Sequence, residues 1–427
     1  MAASETLVHV HDAPRQVDLD KCVHCGLCLN ACPTYRELGV EMDSPRGRIY
    51  QMVQVATGKV EINPSYVEHI DLCLACRACE TACPSGVPYG RLVEAARAEI
   101  ENTIERPWLE KALRGLVFEG LLPSRALLRT LGAVLYLYRT SGVQKAMRSS
   151  GLLKLMGGMG RAEALAPAAE LPDFYRFYGQ VLPAEGESRY RVAFLGGCMA
   201  NIFFARLNEA TVRVLRKNGC EVSIPNEQTC CGALHVHAGL KKPARKLAQQ
   251  NIDVLLAGNY DAIITNAAGC GSTLKEYDEL LEGDPRAGEF SRLVKDVTEF
   301  LGAIELNPAM KALPYTVSYQ DSCHLAHGQK IKTAPRKLLR AIPGLTFKEM
   351  PMADLCCGSA GIYNVVQNEM SMSILKRKMD YVNMANPDVI ATANPGCMLQ
   401  LRAGAEMHGK GQPVRHVVEL LDEAYST

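Results

Sequence analysis

No stretch of this 427-residue chain is apolar for long enough to cross a bilayer. The longest, Thr130 to Tyr138 (TLGAVLYLY), is about nine residues, less than half of the ~20 that a spanning helix needs. Charge of one sign is not in excess either. There are 47 Lys and Arg against 46 Asp and Glu, interspersed, for a net charge of +1, which excludes the basic footprint of a nucleic-acid binder. The first residues, MAASETLVHVHDAPRQ, lack the basic start and apolar stretch of a signal peptide. A G-x-G-x-x-G loop opening a helix after a strand is missing too. GGMG at 157 to 160 has the wrong spacing and no preceding strand, so it reads as a turn. No flavin or nicotinamide site is therefore expected on this chain, and FAD in particular is expected to be absent from it. What the chain does not lack is cysteine, of which there are seventeen. Without a secretory signal these point away from disulfides and to a reducing compartment. The expected location is cytoplasmic, including the cytoplasmic face of the inner membrane.

The cysteines are ordered. Residues 22 to 33 read CVHCGLCLNACP and residues 73 to 84 read CLACRACETACP. Each is C-x2-C-x2-C-x3-C-P, the run with which bacterial ferredoxins hold [4Fe-4S] clusters. Three thiolates spaced by two residues wrap one cubane, and in two-cluster ferredoxins the fourth ligates the other cluster. The expected ligand sets are therefore crossed: Cys22, Cys25, Cys28 and Cys83 for one cluster, and Cys73, Cys76, Cys79 and Cys32 for the second. Zinc is the rival, because paired C-x2-C knuckles are common zinc ligands; it wants four ligands in two pairs, whereas each run here supplies four Cys and a C-P ending.

Length allows two or three domains. Residues 1 to 20 read as a loose lead-in, and residues 1–106 as a mostly helical domain carrying two clusters. Within it, Asp43, Ser44 and Pro45 read as a helix start with Arg46 and Arg48 just inside. Those two arginines either offset the negative charge of thiolate-ligated clusters or are ordinary surface charges. Arg91 to Arg106 reads as an amphipathic helix ended by Pro107. Residues 107–188 read as a helical connector, broken at Gly157, Gly158, Pro167, Pro172 and Pro183. Inside it, Leu127, Leu128, Leu131, Val134, Leu135 and Tyr138 fall at helical spacing beside Arg125, Arg129 and Arg139. The expectation is a core-facing helix packed on the cluster domain, with docking to a membrane surface or a partner as the alternative.

From Arg189 a repeat appears, giving two further units at 189–312 and 313–427. Strand-like RVAFLGGC leads to Cys198, TCCGA holds Cys230 and Cys231, and DAIITNAAGC leads to Cys270. The second copy runs YTVSYQDSC to Cys323, LCCGSAG with Cys356 and Cys357, and DVIATANPGC to Cys397. Strands alternating with helices imply a parallel sheet, whose carboxyl ends collect ligand-binding loops at one edge. Each set of four thiols should therefore meet, and four is the right number for an iron-sulfur site. Gly232 would let the backbone approach closely. Small core residues are the alternative for these cysteines. Cys220 lies outside the pattern as an inert core thiol. His235, His237, His324 and His327 read as hydrogen-bond donors near the thiols, with ligation or proton donation as alternatives. The fold class is thus multidomain α/β: a helical two-cluster ferredoxin domain followed by two repeated β/α domains.

The combination resembles the iron-sulfur subunits of membrane-associated 2-hydroxyacid and glycerol-3-phosphate dehydrogenases, and the B-type modules of heterodisulfide reductases. It is most similar to glycolate oxidase (glycolate dehydrogenase) iron-sulfur subunits. The similarity rests on CVHCGLC with CPTY, SPRGRIYQ, CLACRACETACPSGVPY, NEQTCCGALHVH, AAGCGSTLKEY, HLAHGQKI, and LCCGSAGIYN with TANPGC. It implies two CCG domains, two [4Fe-4S] clusters, and one or two more clusters in the CCG half. It also implies separate FAD-binding subunits that oxidise glycolate, with this subunit passing electrons towards quinone or another acceptor, and peripheral membrane association. D-lactate and anaerobic glycerol-3-phosphate dehydrogenases are the alternative assemblies, and a disulfide-reducing catalytic subunit is another. One departure matters: where the CCG pattern often ends C-x-x-C, this chain has Thr273 and Gln400. Four Cys per copy favour an ordinary four-thiolate site, or none, over a double non-cubane cluster.

Overall fold

The computed structural model describes residues 12–151, 163 and 168–426; the features expected at Gly157, Gly158, 157–160 and Pro167 lie outside them. Up to Thr103 the described chain is a set of short helices wrapped around two thiol-bearing loops. Pro33–Leu38, Pro45–Ala56 and Pro64–Asp71 each start on proline, whose fixed φ and missing N–H suit the first helical position. Ser44 caps the second of these by accepting from Gly47 N at 3.0 Å. Their apolar faces meet in a core of Ile49, Met52, Ile70, Leu92, Val93 and Ile100.

Two expectations about this region need correction. The lead-in is not loose throughout: Gln16–Leu19 is a helical turn, Leu19 is buried in the core, and buried Asp18 pairs with Lys21 and Arg91. The helix read as Arg91 to Arg106 runs Tyr89–Thr103. It stops before Pro107 because Ile104 turns extended and packs on the core, while Arg106 folds back onto Glu101.

The second half contains two sheets. The first has the order β1 (Val181–Leu182), β3 (Cys220–Ser223), β2 (Tyr190–Phe194), β4 (Ala262–Thr265), β5 (Val294–Asp296); all neighbours are parallel except edge strand β1. The second has the order β7 (Thr346–Phe347), β6 (Thr316–Tyr319), β8 (Val389–Thr392), β9 (Val414–His416), all parallel. Strands β4 and β8 are buried along their whole length, as expected of parallel strands covered on both faces. Each repeat ends in the same device. The last strand runs into a helix through a capping box, Asp296 with Glu299 before Val297–Ala303 and His416 with Glu419 before Val417–Tyr425.

The repeats pack reciprocally. The first helix of one, Ala205–Lys217, lies on the last helix of the other, Val417–Tyr425, and Val297–Ala303 lies on Thr333–Ala341. Arg213 pairs with Asp422 at 2.7 Å across this contact, and the Tyr425 hydroxyl donates to Asn218 Oδ1 at 3.2 Å. One apolar core therefore runs through both sheets, from Phe194 and Ile264 to Ile390 and Val417.

The amphipathic helix Arg125–Thr140 exists, but it does not pack on the cluster domain. Leu128 joins the apolar cluster that holds Ile202 of the first repeat and Phe174 of the connector, and the helix rests on Ala200–Phe203. Leu131, Leu135 and Tyr138 are half-buried, whereas Leu127 and Val134 remain exposed. The helical spacing marked Leu128, Leu131, Leu135 and Tyr138 as inward but wrongly took in Leu127 and Val134, and it did not give the surface that the face covers.

Candidate metal centres

The two ferredoxin-type loops share one backbone shape. His24 and Ala75, each two residues after the first Cys, have φ of 54° and 51°; Gly26 and Arg77, each following the second Cys, have φ of 83° and 62°. Left-handed residues at matched positions turn successive N–H groups inward, making an anion-binding nest. Ala75 N donates to Cys73 Sγ at 3.3 Å. Only Gly26 hints at this in the sequence; the left-handed Arg77 carries no such signal.

The thiols of the two loops interleave. Cys22, Cys25, Cys28 and Cys83 line one partly open cavity together with Cys79, Arg46 and Tyr89. Burial raises the Cys22 thiol, and Cys83 and Cys25 push it the same way; burial pushes Cys28 up to about 11. Cys76 and Cys79 are driven well above the usual thiol range, first by burial and then by close thiols that include Cys32 and Cys73. Thiolates gathered like this stay ionised only around a positive centre, so the donor set fits a thiolate-ligated cluster. Among the described residues no three His, Cys, Asp or Glu side chains converge as a site for a bare metal ion.

Arg46 and Arg48, alike in the sequence, separate in the structure. Arg46 pairs with Glu41 at the half-exposed rim, 2.6 Å away, and donates to His24 O at 3.1 Å. Arg48 is fully buried. It donates to His69 O (2.6 Å), Asp43 O (2.6 Å), Thr34 Oγ1 (3.1 Å) and Asp43 Oδ1 (3.3 Å). Thr34 Oγ1 in turn lies 3.2 Å from Cys32 Sγ. Spacing gave a signal that could have distinguished them, since Pro45, Arg48, Ile49 and Met52 share the inward face.

In the repeats, all four thiols of each copy meet, and in the same order. Cys230 Sγ lies 3.5 Å from Cys198 Sγ, and Cys230 and Cys270 both act on the Cys231 thiol. Cys323 and Cys356 Sγ are 4.0 Å apart, and Cys356 and Cys397 both act on the Cys357 thiol. Cys198 and Cys323 sit in loops after β2 and β6, while Cys270 and Cys397 occupy the first turns of Ala268–Leu274 and Pro395–His408. The carboxyl edges of the two sheets therefore deliver the thiols. Cys220 is buried at the start of β3, and burial pushes its thiol up to about 12. Thr273 and Gln400 stand at the fifth-cysteine positions; both are buried, and Gln400 donates to Ser371 Oγ at 2.9 Å.

The glycines after the vicinal cysteines are left-handed, Gly232 at φ +79° and Gly358 at φ +91°. Close approach is not what Gly232 provides, since an added Cβ there meets Ala244 at an ordinary 3.6 Å; its φ is the reason for glycine. At Gly358 a Cβ would also run into the Ser371 carbonyl. Gly232→Ala should cost about 1–2 kcal/mol and Gly358→Ala distinctly more, read as the shift in urea midpoint.

The histidines are structural braces. His235 is hydrogen-bonded to Phe118 O (2.7 Å), His237 to Glu94 (3.0 Å), His324 to Ala75 O (3.1 Å), and His327 to Thr81 Oγ1 (2.8 Å) and Asp354 O (3.0 Å). Three of these contacts tie a repeat to the ferredoxin-type region. Tyr363 adds another, donating to Leu72 O at 2.9 Å. The result is that Leu74, Cys76 and Ala78 form one apolar cluster with Cys323, Cys356, Tyr363 and Ile374.

A pair of ferredoxin-type thiol loops clamped to two cysteine-rich repeats defines an iron-sulfur protein. Family models agree: a 4Fe-4S dicluster domain matches residues 18–87 and a cysteine-rich (CCG) domain matches 192–275 and 317–402. The linker region of glycolate oxidase iron-sulfur subunits matches 109–166. The chain is 44% identical to a probable glycolate oxidase iron-sulfur subunit of Bacillus subtilis (strain 168), over 95% of this chain and 94% of that one. It is 33% identical to the glycolate oxidase iron-sulfur subunit of Escherichia coli (strain K12), with the same coverage. One fumarate reductase (CoM/CoB) subunit, from Methanothermobacter marburgensis, is 38% identical over 55% of this chain and 47% of its own length. The chain belongs to the family of glycolate oxidase iron-sulfur subunits.

Proposed function

We propose that this chain is the electron relay of a flavin-dependent glycolate dehydrogenase complex, carrying electrons from FAD-binding partner subunits towards quinone. Oxidising a 2-hydroxyacid releases two electrons, whereas an iron-sulfur cluster accepts one at a time, so an organic cofactor on a partner must split the pair. Cys22, Cys25, Cys28 and Cys83 would hold one [4Fe-4S] cluster, and Cys73, Cys76, Cys79 and Cys32 the other. Cys198, Cys230, Cys231 and Cys270, and Cys323, Cys356, Cys357 and Cys397, would hold the CCG-domain centres. The corresponding division is a cluster domain at 1–106, a connector at 107–188, and repeats at 189–312 and 313–427.

The observation that most supports a relay is the packing of Cys76 against Cys323 and Cys356. It makes the thiol sets of two domains neighbours. No helix among the described residues is long and apolar enough to cross a membrane. Exposed Trp108, Leu113 and Leu116, with Lys111 among them, support peripheral attachment to the cytoplasmic face of a bilayer.

The anaerobically reconstituted chain should hold about twelve or more irons, against about eight if only the ferredoxin-type loops are filled. In the complex with its flavin subunits, glycolate should reduce these centres, read by EPR. A chain that binds only zinc and gives no EPR signal on reduction would refute the reading.

A further inference from the structure

In each repeat, the long helix after the vicinal cysteines sends a polar side chain back to the loop that carries them. In the first, on Lys241–Leu255, it is Asn251, which accepts from Thr229 N at 2.9 Å and donates to Cys230 O at 3.1 Å. In the second, on Asn368–Ala385, the residue at the offset that relates Cys270 to Cys397 is Lys378. It donates to Met352 O at 3.0 Å and Ala353 O at 2.8 Å. The bracing role is the same, but an amide has become an ammonium.

Lys378 is 1% exposed. Carbonyls satisfy its N–H groups without neutralising its charge, and a buried cation needs an anion close by. The carboxylates around it are already engaged. Asp321 is held through both oxygens by Arg336, at 2.8 and 2.7 Å, and Asp354 is held by Lys332 at 3.1 Å. Cys356 lines the same small cavity as Lys378, and Cys357 and Cys356 act on the Lys378 charge alongside those carboxylates.

We propose that Lys378 is the resident counter-charge of the thiolate set Cys323, Cys356, Cys357 and Cys397, and that it holds a cluster there at a higher reduction potential than the first repeat could. The proposal rests on the reading that the second repeat ligates a cluster. Reduction adds one electron and makes or breaks no bond, and the added negative charge is stabilised by a fixed ammonium in a site of low dielectric. The first repeat has only the neutral Asn251 in that place.

The test uses the full chain, reconstituted anaerobically, with Lys378→Gln, which keeps a donor but loses the charge, and Lys378→Arg, which keeps the charge. In EPR-monitored redox titrations, Lys378→Gln should lower the midpoint of the second-repeat centre by about tenfold in its reduction equilibrium, about 59 mV. Lys378→Arg should recover most of that shift, and the ferredoxin-type centres should not move. An unmoved midpoint at full iron content overturns the proposal. If Lys378→Gln does not fold, the wild type decides between signals assigned by their loss in Cys397→Ser and Cys270→Ser. The second-repeat centre must then be reduced at the higher potential, and the reverse order overturns the proposal. A wild-type iron count of about eight would remove the underlying reading and the proposal with it.

Discussion

Replacing Cys83 by Ser should abolish the cluster of the first thiol loop, although Cys83 lies 55 residues from Cys28, in the second loop. The expected result is the loss of about four irons per chain and of one EPR signal, while the signal of the other centre persists. The grounds are spatial. Cys83 shares a cavity with Cys22, Cys25 and Cys28, which Cys79 also lines, and Cys83 acts on the Cys22 thiol. Cys32→Ser is the mirror experiment and should remove the second centre, because Cys32 lies among Cys73, Cys76 and Cys79. Selective loss of the second-loop signal in Cys83→Ser would overturn the crossed pairing.

Arg48→Met should destabilise the chain by about 3–5 kcal/mol, the largest effect expected from a residue that is not a ligand. The substitution leaves the Asp43 carboxylate buried without its guanidinium and orphans the His69 carbonyl, while Asp43 O keeps the Thr34 hydroxyl at 2.7 Å. His69 Nδ1 remains 2.9 Å from Asp43 Oδ1 and can compensate only in part. Denaturant unfolding under anaerobic conditions measures the loss. Pairing the substitution with Asp43→Asn should recover a fraction of it, since the cost lies in the uncompensated charge rather than in lost volume. Wild-type stability in Arg48→Met alone would show that the network contributes nothing. By contrast, Arg46→Met should matter little, because its ion pair with Glu41 is at the rim.

The thiol pattern was legible because ligand geometry constrains spacing directly, and the repeat was legible because Cys198, Cys230, Cys231 and Cys270 recur almost without insertion. Other features depended on what lies opposite in space. Leu128 and its neighbours marked an inward face, but periodicity cannot say whether that face meets the cluster domain or Ile202 of the first repeat. The helix expected to reach Arg106 ended early for a tertiary reason, the burial of Ile104. Lys378 escaped notice as one lysine on a helix. It stands out only when the two copies are aligned and Asn251 is found doing the same work.

The reciprocal packing of Ala205–Lys217 on Val417–Tyr425, and of Val297–Ala303 on Thr333–Ala341, bears on how such a duplication ages. Each copy completes the interior of the other, so neither can be deleted without exposing its sister. A copy that ceased to carry electrons would still be retained as scaffolding. Chemistry in the two halves is thus free to diverge while their architecture stays locked together, and the exchange of an amide for an ammonium at matching positions is the kind of divergence that such a lock permits.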